Sequence, residues 1–194
     1  MSNVQQDRCV GLVLYRGFER IFCMRRLNIK ETVLFGLLGA FMYVSKIVLE
    51  FLPNVHLLGV FIVAITVVFR AKALYPIYTF VFLTGLFNGF SAWWIPYLYI
   101  WAVLMLAVLA LPDFKNRKVA AVVYAAVCAL HGFLFGTLYA PFQALFFGLD
   151  FKGTVAWIIA GFPFDVVHGV SNLICGTLIL PLVSVLKRAK KYVE

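Results

Sequence analysis

Apolar residues run along this chain in long blocks, broken at intervals by short clusters of charge, glycine or proline. The blocks fall roughly at 31–52, 55–69, 73–87, 92–111, 119–147 and 154–186. Runs of this length predict helices, and helices that are apolar all round belong in lipid or in a buried core. A hydrocarbon layer about 30 Å thick takes roughly 20 helical residues to cross. Six crossings therefore use most of the 194 residues and define an all-α membrane protein. The second block is short, because helical residues rise only about 1.5 Å each, and a re-entrant piece is the alternative to a span. The last two blocks exceed one crossing and contain Pro141, Pro163 and Pro181, which predicts kinks or short outer helices.

Charge chooses between five and six crossings. With six, both termini are cytoplasmic, and so are Arg8, Arg16, Arg20, Arg25, Arg26 and Lys30, the pair Arg70 and Lys72, the cluster Lys115, Arg117 and Lys118, and Lys187, Arg188, Lys190 and Lys191. That leaves Lys152 in an outer loop and Lys46 within the first segment. Removing the second segment turns every later cluster outward, against the tendency of Lys and Arg to stay in cytoplasmic loops. Six spans are the expectation.

Composition agrees with lipid as the solvent. The chain is 64% hydrophobic and 13% charged, with a mean hydropathy of +0.98. The expected organisation is a basic extension or interfacial helix over 1–23, a six-helix domain over 24–188 and a basic cytoplasmic tail over 189–194. Residues 10–22 mix Leu, Val, Tyr and Phe with Arg16, Glu19 and Arg20, which suits an interfacial helix; a translation start at Met24 is the alternative. The apolar run 10–15 is interrupted before any small-residue cleavage site and does not read as a signal peptide. A formal charge of +9 reflects cytoplasmic loops here, and no nucleic-acid partner is expected. Cys9, Cys23, Cys128 and Cys175 form no CxxC pair and read as reduced thiols.

Ionisable groups at membrane depth are costly, so each is a functional candidate. Lys46 and Glu50 stand four apart on one helical face, and either neutralise each other or meet a ligand. Asp165, His168 and Asn172 follow i, i+3, i+7 spacing on one stripe turned into the bundle. Their roles divide between interhelical hydrogen bonding and substrate contact. His131, alone on an apolar face, reads as a packing residue. Asn54, His56, Asn88, Trp93, Trp94 and Tyr97 join the outer ends of the blocks; the Trp pair fits an interfacial belt or a stacking surface. Lys46, Glu50, Asn54, His56, Asn88, Trp93, Trp94, Tyr97, Asp165 and His168 all collect in the outer half of the six-span layout, which describes a pocket open to the outside.

Catalytic signatures are missing: there is no GxSxG, HExxH or GxxxxGK[ST] motif. No metal or cofactor is expected, and dispersed Asp165, His168 and His131 make a weak case for an intramembrane enzyme. A non-catalytic assembly factor with a structural polar stripe is a further alternative.

The MRRLNIKE start, the FGLLGAF first span, the LPNVHLLG connection and the FPFDVVHGVSNLICGTLILPL final segment resemble the substrate-binding S components of energy-coupling factor (ECF) transporters, over about residues 24–188. The resemblance implies a six-helix protein of the bacterial plasma membrane with no ATPase of its own. It implies capture of a vitamin or vitamin precursor from outside, and docking to a transmembrane coupling subunit driven by two cytoplasmic ATPases. The family's first helix carries an AxxxA docking motif; here Gly36 and Ala40 stand in that place, with glycine for the first alanine. A small pair of this kind also suits packing inside the bundle. The family's substrate signatures do not single out a vitamin.

Overall fold

A computed structural model describes residues 27–52 and 55–193. The expected extension over 1–23 and the candidate Asn54 lie outside the described residues. Among those described, the chain is helical with no strand. Eight helices follow one another: α1 Ile29–Val48, α2 Leu58–Phe69, α3 Leu74–Asn88, α4 Tyr97–Leu109, α5 Arg117–Phe133, α6 Phe135–Phe147, α7 Phe151–Cys175 and α8 Ile179–Val193. Tight turns at Arg70–Ala73 and Gly176–Leu178 link α2 to α3 and α7 to α8. Taken with these turns, five helical stretches are long and apolar enough to cross a membrane: Ile29–Val48, Leu58–Asn88, Ala92–Leu109, Arg117–Phe147 and Phe151–Val193.

Local sequence explains several boundaries. Asn28 caps α1 by accepting from the Glu31 N–H at 2.8 Å, while the Glu31 carboxylate accepts from the Asn28 N–H at 3.1 Å. This reciprocal pair satisfies two of the amide groups that a helix start leaves open. Asn116 and Asp150 cap α5 and α7 one-sidedly, each through a side-chain oxygen that accepts from a first-turn amide. At the far end of α6, Gly148 takes a left-handed conformation, φ 65°, which glycine adopts without steric cost.

The two long blocks differ from expectation in where they break. The block at 119–147 divides at Leu134, ahead of Pro141, which sits inside α6. The block at 154–186 divides at Gly176, and α7 continues through Pro163. Close packing fixes the second break, since a Cβ on Gly176 would lie 2.7 Å from that of Ala125. Pro181 falls in the first turn of α8, where a missing N–H costs nothing.

At 12 residues, α2 rises only about 18 Å. Nearly all of it is buried, so it is the centre of the bundle, packed by α4, α5 and α8. On one flank α1 lies against α3: Phe35 stacks on Tyr75 with ring centroids 5.9 Å apart, and a Cβ on Gly39 would meet Thr79 at 2.5 Å. Gly39 is thus the small residue that lets these two helices approach. The outward face of α1 presents Val33, Leu37, Phe41, Val44 and Val48, an apolar stripe suited to lipid.

Contacts sort the helix ends into two groups. At one end Asn28 Nδ2 donates to the Val193 carbonyl at 2.7 Å, Lys72 pairs with Glu31 at 2.5 Å, Arg70 donates to the Leu109 carbonyl and Lys190 to that of Val68. The starts of α1 and α3 and the ends of α2, α4 and α8 share this basic end. At the other end Tyr43 donates to Asn88, and Tyr139 to the Trp93 carbonyl.

Candidate functional site

The stripe predicted along α7 does face inward: Asp165, His168 and Asn172 are all buried. Two of the three fasten helices. Both Asp165 carboxylate oxygens accept from the Gly136 N–H at 3.0 Å. The break at Leu134 makes Gly136 part of a helix start, where amides lack helical acceptors and the helix dipole favours negative charge. A Cβ at position 136 would lie 2.5 Å from Asp165 Oδ2, so only glycine admits the carboxylate this closely. Asn172 donates through Nδ2 to the Cys128 carbonyl at 3.1 Å. Its amide sits where a Cβ on Gly59 or Gly132 would be, at 3.3 and 2.8 Å from Nδ2, so α2, α5 and α7 close around it.

His168 behaves differently. Its ring lies 4.4 Å, centroid to centroid, from that of His56 at the entry to α2, and 4.9 Å from Phe135 at the start of α6. From His56 the contacts pass to Trp101 of α4 at 6.2 Å, then to His131 of α5 at 5.8 Å, and from His131 to Phe135 at 6.2 Å. A closed circuit of five rings results, contributed by four helices and the connection before α2, and Trp101 also touches Phe135 at 5.6 Å. Four polar atoms on this circuit are buried with no hydrogen-bond partner: His56 Nδ1, Trp101 Nε1, His131 Nδ1 and His168 Nε2. Native proteins leave few such atoms, because each costs roughly 1–3 kcal/mol when unpaired. Gln143 Oε1, Ser171 Oγ and Asn172 Oδ1 are unpartnered too but lie off the circuit; the four on touching rings make the circuit the candidate site.

An aromatic ladder leads to the circuit. Trp93, Tyr97 and Trp101 stand four apart in sequence and meet edge to face at 5.7 and 5.5 Å. Trp93 and Tyr97 are half-buried, whereas Trp101 is fully buried, so the ladder runs inward.

Several candidates lie elsewhere. Trp94 donates from Nε1 to the Val81 carbonyl at 2.8 Å and packs its ring against Phe90, which fixes the turn before α4. Asn88 is exposed and accepts from Tyr43 at 3.3 Å. Lys46 and Glu50 do not pair: α1 ends at Val48, Glu50 lies in the turn beyond it, and the shared helical face is lost. The ion pair formed among the described residues joins Lys72 and Glu31. Gly36 has no atom within 4 Å of an added Cβ, so it does not pack inside the bundle, and Ala40 one turn on is half-exposed.

Sequence reasoning missed Trp101 and Phe135 and read His131 as packing alone. His131 does bind the Ile100 carbonyl through Nε2 at 3.1 Å, but its other nitrogen belongs to the circuit. The four-residue spacing from Trp93 through Tyr97 to Trp101, and from His131 to Phe135, was the available signal. Among the described residues no three His, Cys, Asp or Glu side chains are arranged to hold a metal ion. No known protein family matches this chain, and no curated protein or solved structure is similar to it.

Proposed function

We propose that the chain is the substrate-binding S component of an ECF-type importer, crossing the bacterial plasma membrane six times with both termini in the cytoplasm. The observation that carries this reading is the ring circuit. Buried, unpartnered donors and acceptors gather beside an aromatic ladder, at the end of the bundle away from the basic cluster. That arrangement suits a small flat molecule, vitamin or precursor, entering from outside. Six crossings are supported by the alternation of helix ends, which puts Arg70, Lys72 and Lys190 together beside Asn28 and Glu31. α2 can be shorter than a lipid-exposed span because protein surrounds it on all sides.

Energy comes from partners in this reading, a coupling subunit and two ATPases. Gly36 and Ala40 are the docking pair: small, on the open side of α1, and flanked by the apolar stripe. At Gly36 the added bulk of Leu meets open space, and a circular dichroism melt checks that the double variant folds. Uptake by the assembled complex is expected to fall below a tenth of the unmodified level, with ligand binding to the isolated chain unchanged. Unchanged uptake by the double variant would remove the docking assignment. Copurification from native membranes should recover a membrane subunit and two ATPases; a chain that works in liposomes without them is no S component.

A further inference from the structure

The circuit limits which molecules it can satisfy, and this restriction rests on the capture reading just given. Trp101 Nε1–H is a donor and nothing else. Buried and unpartnered, it requires an acceptor on the bound molecule. His131 is constrained from the other side. Its Nε2 lies 3.1 Å from the Ile100 carbonyl oxygen, which only accepts. An uncharged imidazole held this way carries its single proton on Nε2 and leaves Nδ1 as a bare lone pair. That atom too is buried without a partner, and it requires a donor. The two rings are neighbours, 5.8 Å apart between centroids and tilted by only 35°. His56 and His168 complete the circuit and adapt, since either ring nitrogen of an unconstrained imidazole serves as donor or acceptor.

We infer that the site recognises a flat, uncharged heterocycle with an acceptor and an N–H donor adjacent on one edge, as in a cyclic amide. The acceptor takes the Trp101 proton and the ligand's N–H points to His131 Nδ1. A carboxylate satisfies the first requirement and sets negative charge against a lone pair at the second. An amidinium does the reverse, leaving Trp101 unpaired. Asp165, the acid of α7, is held against the Gly136 amide and is not among the rings of the circuit. Phe135 and the ladder rung Tyr97 supply ring faces and edges for the body of the molecule.

Four two-ring probes of similar size separate the possibilities: 2-quinolone, with N–H beside C=O; quinoline, an acceptor only; indole, a donor only; and 2-naphthoate, an anion. Calorimetric titration of the purified full chain should rank 2-quinolone at least about tenfold above the other three, the factor expected for one buried hydrogen bond made rather than missed. Trp101→Phe keeps an aromatic ring and deletes the donor. It should weaken 2-quinolone about tenfold and leave indole unchanged, with a circular dichroism melt confirming that the variant folds. The edge assignment is overturned if 2-naphthoate or indole binds as well as 2-quinolone, if Trp101→Phe binds 2-quinolone normally, or if no probe binds. The first two results leave the capture protein standing with a different ligand. Silence from all four probes removes the edge assignment, and uptake by the partnered complex then decides the capture reading separately.

Discussion

Trp101 is buried on every side, in ring contact with His56, Phe80, Tyr97, His131 and Phe135. Truncation to Ala removes those contacts together and is expected to cost about 3–5 kcal/mol of stability, read as a lowered melting temperature. Gly136 is as restrictive in the opposite sense. Gly136→Ala sets a methyl group against the Asp165 carboxylate and should destabilise by about 1–3 kcal/mol, whereas Gly36→Ala, inside α1 with open space at its Cβ, should stabilise by about 0.5–1 kcal/mol. Melting curves of the two glycine variants side by side check both. Individual residues were only partly legible in advance. Asp165, His168 and Asn172 were found because polar atoms in an apolar block demand an explanation, and His56 because it sits in a polar connection at the outer end of the blocks. Sequence could not separate His168, which joins the circuit, from Asp165 and Asn172, which fasten helices, since that depends on the partners that α5 and α6 bring. Trp101 went unnoticed because tryptophan inside an apolar block looks like ordinary core.

At the scale of elements, caps and breaks set the site. The six apolar blocks correspond to helical regions, whose ends the structure sets at caps the block pattern did not single out, Asn28, Asn116, Asp150 and Gly148. Prolines misled, because Pro163 is tolerated within α7, while the breaks at Leu134 and Gly176 arise where neighbouring helices pack or offer a hydrogen bond. The break at Leu134 shapes the candidate site: it frees the Gly136 amide for Asp165 and sets Phe135 against His168. The basic end depends on Lys72 and Glu31 in a similar way. Lys72→Met leaves the buried Glu31 carboxylate without this cation and is expected to lower stability by about 1–2 kcal/mol, below the 3–5 kcal/mol of a fully buried pair because Lys72 is 19% exposed. Chemical denaturation of Lys72→Met against the unmodified chain measures it.

In the whole molecule a basic end, where backbone carbonyls of α2, α4 and α8 receive Lys, Arg and Asn side chains, stands opposite an end rich in aromatic and imidazole groups. With six crossings these ends face opposite sides of the membrane. Cysteines placed at Lys152 and at Lys115, in a chain otherwise free of cysteine, should then react with an impermeant maleimide from opposite sides: Lys152→Cys in intact cells, Lys115→Cys only after permeabilisation. Labelling of both from outside would contradict the topology. The central claim is that the ring circuit holds a small molecule, and mass spectrometry of what the purified full chain retains tests it most directly. A flat heterocyclic compound is expected at close to one per chain, and reduced at least about tenfold in His168→Leu, which removes one of the four unpartnered polar atoms of the circuit. A compound retained equally by His168→Leu, or a well-folded chain that retains none and takes up none added, would contradict it.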